Sequence, residues 1–180
     1  MYIDLTKTIY HQMENYKDDP MVTLTQIKHL KEDGYNDYVL SINMHSGTHI
    51  DGINHMKPHQ TIDYESLENL IGIGRKVNPL DFVYNGEEVL IIETNGQYLP
   101  ESFIEKVVIH PIKFIVIDSE SPDDYPYHIH HKLFSHHILI VENAMNLDKL
   151  KNDVLYKVYA IPLKIKSDSS PIRLFAEALK

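Results

Sequence analysis

An α/β fold is predicted by two short apolar runs that flank a helical segment. Residues 88–93 (EVLIIE) and 113–118 (KFIVID) have the length and composition of buried strands. Between them, residues 101–110 follow a proline and repeat apolar side chains at helical spacing. A strand, a helix and a strand in this order indicate a crossover unit with two parallel strands.

The amino-terminal part of the chain is predicted to contribute further strands. Apolar and polar residues alternate in 2–9 and again in 38–44, a period typical of strands with one buried face. We expect residues 22–29 to form a strand that pairs with 38–44 through a turn. Residues 64–70 are weakly helical, with Asp63 as the N-cap.

The carboxyl-terminal half combines a polar loop with another buried strand. Residues 119–127 follow an apolar strand and contain prolines, so we expect a surface loop at the strand's carboxyl end, where such folds bind ligands. The apolar run at 138–141 ends in Glu142, and a carboxylate at the edge of a core requires a partner. A metal ion or the hydrogen bonds of a loop would supply that partner, and the residues alone leave both alternatives open.

Composition and charge exclude several classes of protein. The 180 residues are 43% hydrophobic, and no repeat or linker interrupts them, so we expect a single domain over residues 1–180. A formal charge of −9 without a basic block argues against nucleic acid and anionic membranes as partners. No apolar run approaches the ~20 residues that span a bilayer, and the first residues do not resemble a signal peptide. The sequence has no cysteine, which excludes thiolate ligands and suits a cytoplasmic protein.

Residues 44–55 (MHSGTHIDGINH) concentrate groups that bind metals or transfer protons. His45, His49 and Asp51 share the same parity, so they begin on one face of the strand that enters this segment. In a straight strand the two histidines would lie about 13 Å apart, too far for one ion with ligand atoms at about 2 Å. The chain must therefore bend between them, and Gly47 permits the positive φ of such a bend. The alternative is a histidine-containing turn that binds no ion.

The same segment resembles a known family. The run HSGTHIDGINH is similar to the H-x-G-T-H-x-D-x-P-x-H signature of the cyclase family, metal-dependent amidohydrolases that include bacterial kynurenine formamidase and isatin hydrolase. Asp4-Leu5 resembles the family's opening, and residues 161–165 (IPLKI) and 169–173 (SSPIR) resemble its closing elements. Ile53 replaces the family's usual proline, a change that removes no ligand.

The resemblance implies a second half of the metal site. The family carries a histidine and, twelve residues later, a glutamate followed by asparagine, which correspond here to His130 and Glu142. His131 is the alternative for the histidine because the two are adjacent. We expect the other histidines near these segments to lie at the surface or beside the ligands: His59, His128, His136 and His137.

The function that the resemblance implies is metal-dependent hydrolysis of the C–N amide bond of a small aryl-formamide or cyclic amide. One or two divalent ions would be held by five ligands: His45, His49, Asp51, His130 and Glu142. Hydroxide formed on the metal would attack the carbonyl. His55 would act as general base and then as acid, because an unperturbed histidine pKa of about 6.5 suits both roles. Zinc suits these ligands best, with manganese as the alternative.

Two other functions could use the same residues. A metal-dependent lyase or cyclase that acts on a small carbonyl compound would use His55 to abstract a proton. Incorporation of oxygen from labelled water into the product would favour a hydrolase instead. A non-catalytic metal-binding or small-molecule-binding protein would tolerate loss of His55. The resemblance further implies a swivelling β/β/α fold with a barrel-like sheet, and homodimers in which subunits sometimes complete each other's pockets.

Several positions depart from the family pattern and bear on substrate contacts. Residues 93–95 (ETN) stand where many relatives have Arg-Thr-Gly, and Ile117 stands where a glycine usually precedes the aspartate. The sequence has no tryptophan, and Tyr10, Tyr16 or Tyr125 could line the pocket instead. These departures affect the expected substrate and leave the metal ligands in place.

Overall fold

The computed structural model describes residues 1–16 and 19–179, which contain ten strands and four α-helices. The strands are β1 (Tyr2–Asp4), β2 (Thr23–Lys28), β3 (Asp37–Ser41), β4 (His49–Asp51), β5 (Ile71–Lys76), β6 (Val89–Ile92), β7 (Phe114–Ile117), β8 (Leu139–Glu142), β9 (Tyr156–Pro162) and β10 (Ser169–Ala178). The helices are α1 (Leu30–Asp33), α2 (Leu67–Leu70), α3 (Glu101–Val107) and α4 (His128–Ser135).

Seven of the described strands form a closed, barrel-like sheet. Their hydrogen-bonded order is β10, β4, β8, β7, β6, β5 and β9, and the antiparallel pairing of β9 with β10 closes the ring. β1 adds an eighth strand along β10. It is shorter than the predicted strand at 2–9 and ends at Asp4, whose Oδ1 accepts a hydrogen bond from Thr6 N. The α/β class with a barrel-like sheet is confirmed.

The core is centred on parallel strands. β6 is parallel to β5 and β7, and β7 is parallel to β8. Every residue of β6, β7 and β8 is buried, as expected for parallel strands with both faces covered. β6, α3 and β7 form the predicted crossover unit, and α3 buries Phe103, Ile104 and Val107.

The helices are shorter than the sequence predicts. α3 ends at Val107 and not at residue 110; residues 108–110 form a turn, and Pro111 disfavours the helical conformation of the last of them. The predicted helix at 64–70 is confined to α2, whose N-cap is Ser66 and not Asp63. Within the described part of the chain, no helix is both long enough and apolar enough to cross a membrane.

β2 and β3 form a separate hairpin. They pair antiparallel to each other, as predicted, with α1 in the connection. The predicted burial of one face of residues 38–44 is wrong, since β3 ends at Ser41 and all of its residues are exposed. Tyr38 is 53% and Leu40 48% exposed, because within residues 1–16 and 19–179 this hairpin pairs with no strand of the barrel.

Candidate metal centre

β4 brings two of the predicted metal ligands into register with a third. It lies between β10 and β8, and both neighbours run antiparallel to it. His49 is directly opposite Glu142 of β8, and Asp51 is opposite Ser169 of β10. Opposed side chains share one face of a sheet, and so do residues two apart in a strand. The register therefore gathers an imidazole and two carboxylates on one face.

Gly47 bends the chain so that His45 joins this group. Its φ is +67°, so the bend predicted between the two histidines is confirmed. His45 Nδ1 lies 3.0 Å from Asp51 Oδ1, and His49 Nε2 lies 3.4 Å from the same oxygen. A single carboxylate oxygen thus faces both imidazoles.

α4 supplies the third imidazole, that of His130. Its Nε2 lies 3.5 Å from Glu142 Oε1, while Glu142 Oε2 lies 3.2 Å from His49 Nε2. His130 is buried and His131 is exposed, so the first of the two adjacent histidines reaches the centre. The histidines expected outside the ligand set are all exposed: His59, His128, His136 and His137.

Each imidazole is oriented through the ring nitrogen that faces away from the centre. The contacts are His45 Nε2 with Asp168 Oδ2 at 3.0 Å, His49 Nδ1 with Gly47 O at 2.9 Å, and His130 Nδ1 with Asp123 Oδ1 at 2.5 Å. Carbonyl and carboxylate oxygens can only accept, so these ring nitrogens carry the hydrogen. The opposite nitrogen of each ring is then available to bind a cation.

Three buried polar atoms of the centre make ion-pair contacts of 3.0–3.5 Å but no well-formed hydrogen bond to any described group. His49 Nε2, Asp51 Oδ1 and Glu142 Oε1 are buried and have no hydrogen-bond partner among the described residues. Leaving such an atom unpaired costs about 1–3 kcal/mol, so their convergence calls for a positively charged partner. Ligand atoms lie within 4.8 Å of one another in two sets that share Asp51: His45 with His49 and Asp51, and Asp51 with His130 and Glu142. These donors fit one divalent cation, or two with Asp51 between them.

Without a bound cation, two imidazoles of this centre, those of His45 and His130, are protonated at neutral pH. Burial alone would lower the pKa of His45, but the carboxylates of Asp51 and Asp168 outweigh it and raise the pKa to about 9. Burial would also lower the pKa of His130. The two carboxylates in contact with it outweigh burial and raise the pKa to about 9. For Asp51, burial raises the pKa, but the surrounding imidazoles lower it well below its usual range. A cation that binds here must therefore displace protons.

A cavity of about 300 Å³ opens onto the centre. Its walls include all five clustered residues together with His55 and Tyr16. His55 Nδ1 lies 2.9 Å from Asp168 Oδ2, and its ring centroid is 4.4 Å from that of His45. Of the three tyrosines expected near the pocket, Tyr16 lines the described cavity, whereas Tyr10 and Tyr125 do not. The volume suits a small molecule.

Two acids that orient histidines, Asp123 and Asp168, were not predicted from the sequence. Asp123 lies in the loop at 119–127 that we expected near a ligand, and its Oδ2 accepts a hydrogen bond from Ile129 N at 2.6 Å. Asp168 directly precedes the SSPIR element at 169–173. Their positions beside these segments are the signal that could have identified them, since each is otherwise an ordinary loop acid.

The departures from the family pattern lie outside the ligand cluster. Glu93 Oε2 lies 2.6 Å from Lys76 Nζ. Thr94, which the family pattern retains, donates hydrogen bonds from its backbone N and its hydroxyl to Asp118 Oδ1, at 2.7 and 2.6 Å. Ile53 begins a 3-10 turn that ends at His55, so the chain reaches the cavity without the usual proline.

The family model described as "Putative cyclase" matches residues 3–124. A kynurenine formamidase of Bacillus cereus is 28% identical over an alignment of 205 positions, gaps included, which covers 96% of this chain and 95% of the relative. A structure described as a "predicted metal-dependent hydrolase" from Bacillus stearothermophilus has a TM-score of 0.80 at 21% identity, with 98% of this chain and 97% of that chain covered. An isatin hydrolase bound to the product analogue thioisatinate has a TM-score of 0.79 at 18% identity, covering 97% and 91%.

The similarity to these two solved structures establishes the fold alone, because sequence identities of 21% and 18% are too low to assign a function. The family model covers more than half of the residues, from the first strand to the loop before α4. The chain therefore belongs to the cyclase family.

Proposed function

We propose that the five clustered side chains hold one or two divalent cations. The support is the set of buried atoms without partners among the described residues, which are His49 Nε2, Asp51 Oδ1 and Glu142 Oε1. His45 and His130 complete the two sets of donors, and Asp51, which belongs to both sets, or Glu142 would be shared if two ions were held. Histidine and carboxylate donors without thiolate favour zinc, with manganese as the alternative.

The proposed activity is hydrolysis of the C–N amide bond of a small aryl-formamide or cyclic amide. The names of the relatives, kynurenine formamidase and isatin hydrolase, support amides of these kinds. The cavity of about 300 Å³ supports a small substrate. The observation that carries the proposal is that the unpartnered ligand atoms and His55 line the same cavity.

His55 is the proposed general base and acid. When bound, a divalent cation polarises a carbonyl and lowers the pKa of water to about 7. His55 accepts the proton of the attacking water through Nε2, because its Nδ1 contacts Asp168. It then donates this proton to the nitrogen of the breaking C–N bond, which leaves as an amine. A formamide yields formate and an arylamine, and a cyclic amide yields its ring-opened amino acid.

The test is hydrolysis of N-formyl arylamines and cyclic amides in ¹⁸O-labelled water, by protein that has been stripped with a chelator and then given metal. We expect zinc or manganese to restore turnover and one labelled oxygen to enter the carboxylate product. His55→Ala should lower kcat by about 10²- to 10⁴-fold while bound metal, measured by mass spectrometry, stays constant.

His59→Ala is the matched control, because His59 is an exposed histidine outside the cavity and its loss should leave kcat unchanged. Turnover by the stripped protein would contradict the proposal. Product without labelled oxygen would also contradict it and would favour a lyase or cyclase. Metal binding without turnover of any of these amides would favour a binding protein.

We also propose that residues 1–180 form one domain that assembles as a homodimer through the β2–β3 hairpin. A two-stranded hairpin is marginally stable in water by itself. This hairpin exposes Leu24 and Leu40, which are directly opposite each other on one face. A second copy on that face would remove both from water. The cysteine-free sequence supports a cytoplasmic location.

A further inference from the structure

The carboxylate of Asp168 contacts two imidazoles that have different proposed roles. Its Oδ2 lies 2.9 Å from Nδ1 of His55 and 3.0 Å from Nε2 of His45. His45 has a second contact at the same nitrogen, since Ser169 Oγ lies 2.9 Å away. For His55, the contact with Asp168 engages Nδ1 and leaves Nε2 as the ring nitrogen available to the cavity.

The backbone holds Asp168 in a fixed place beside the metal-ligand segment. Asp168 O accepts a hydrogen bond from Gly52 N at 2.9 Å, one residue beyond β4. The next residue, Ser169, is paired with Asp51 across the β10–β4 ladder. A Cβ on Gly52 would lie only 2.8 Å from Asp168 O, so the two backbones approach as closely as glycine allows. The position of this carboxylate is therefore set by the sheet.

We propose that Asp168 is a positioning residue that holds His55 with hydrogen on Nδ1 and with Nε2 bare toward the cavity. The proposal rests on the proposed hydrolytic function, in which His55 Nε2 accepts a proton. A carboxylate can only accept, so Nδ1 must donate to it, and a neutral imidazole then carries no hydrogen on Nε2. Because the same oxygen also contacts His45, one carboxylate aligns the base with a metal ligand.

The competing explanation is that Asp168 only supports His45 and thereby metal retention. A double-mutant cycle separates the two, because a residue that acts through His55 loses its effect when His55 is absent. The cycle comprises Asp168→Asn, His55→Ala and the double variant, each assayed with metal added to saturation. The matched control is Asp123→Asn, which changes another carboxylate–imidazole pair, that of His130, and does not touch His55.

We expect Asp168→Asn alone to lower kcat by about 10- to 100-fold, with KM nearly constant. In the His55→Ala background the same change should lower kcat by a much smaller factor, the part that acts through His45, whereas Asp123→Asn should have the same effect in both backgrounds. An equal effect of Asp168→Asn in both backgrounds would overturn the proposal and assign Asp168 to His45 alone.

A second readout needs no turnover, so it also separates failure of this proposal from failure of the proposed function. Nitrogen-15 NMR of labelled imidazoles, at mildly alkaline pH with and without zinc, reports which ring nitrogen carries the hydrogen. We expect His55, assigned by its loss in His55→Ala, to carry it on Nδ1, and to move it to Nε2 in Asp168→Asn. Hydrogen on Nε2 of His55 in the unmodified protein would overturn the proposal, whether or not the variant folds.

Discussion

His49 shows, at the scale of single residues, which part of the centre is local in sequence. Its Nδ1 contacts Gly47 O, two residues away, and its Nε2 faces Asp51, two residues ahead. Spacing within such a segment follows from the sequence, which predicted that these side chains lie together. The contact of Asp168 with His45 joins residues 123 positions apart. It depends on the β4–β10 register, which no local pattern encodes.

Metal affinity should rise as pH increases from about 7 to 9. The pKa values of His45 and His130 are raised to about 9, above the roughly 6.5 of the unfolded chain, so both are protonated at neutral pH and a cation must displace their protons. Calorimetric zinc titrations in two buffers with different ionisation enthalpies count the released protons. We expect fewer protons to be released at pH 9 than at pH 7.

The same shifts predict how stability depends on pH in the metal-free protein. A raised folded-state pKa contributes stability that is complete below about pH 6.5 and is lost as pH rises through about 9. The melting temperature of metal-free protein should therefore fall over this interval, and that of zinc-bound protein should change less. Zinc binding without proton release at neutral pH would contradict both expectations.

At the scale of elements, the buried strands were the most predictable part of the fold. β6 and β7 appear within one residue of each end of the predicted apolar runs, because a fully buried strand has apolar side chains on both faces. The alternation at 38–44 predicted a strand correctly and a buried face incorrectly. The sequence pattern of an apolar strand face is the same whether that face packs in the barrel, packs against a second copy or is exposed to water.

Replacing Gly47 by alanine should weaken metal binding as well as stability. The residue has a φ of +67°, and a Cβ would lie 3.2 Å from Ile9 Cγ1. An L-residue in this backbone conformation costs about 1–2 kcal/mol, and relaxation of the bend would move His45 relative to His49. Chemical denaturation should show this loss in the free energy of unfolding, and zinc titration should show lower affinity.

Gly96→Ala is the control for this substitution. Gly96 has a φ of +73°, and a Cβ added there would meet no atom of the described residues within 4 Å, so the substitution carries the backbone cost alone. It should lose similar stability and keep its zinc affinity. If Gly47→Ala lost stability but bound zinc as tightly as the unmodified protein, the bend would have no role in the metal centre.

For the whole molecule, closure of the barrel could not be predicted from local sequence patterns. The crossover of β6, α3 and β7 predicted the α/β class. Closure depends on β9, which pairs with β5 on one side and β10 on the other. β9 and β10 are consecutive strands, but the β5–β9 pairing joins distant segments, and only the resemblance to the cyclase family indicated a barrel-like sheet.

The proposed homodimer predicts that charge on one face of the hairpin will dissociate it. Leu40→Asp changes the face that Leu24 and Leu40 share, so we expect light scattering after gel filtration to give half the mass of the unmodified protein. Thr25→Asp is the control, because Thr25 pairs with Val39 on the opposite face and should leave the dimer intact. A monomeric unmodified protein, or a dimeric Leu40→Asp, would contradict this interface.

Side chains distant in sequence are proposed to hold a divalent cation, and the metal content of purified variants reports this binding. The measurement is elemental mass spectrometry of protein incubated with zinc and then dialysed, for the unmodified chain, Glu142→Gln and the control Glu120→Gln. Glu120 lines the same cavity outside the ligand cluster. We expect one or two zinc ions per chain in the unmodified protein and in Glu120→Gln, and marked loss in Glu142→Gln. An unmodified protein without zinc, or a Glu142→Gln variant with full zinc content, would contradict the claim.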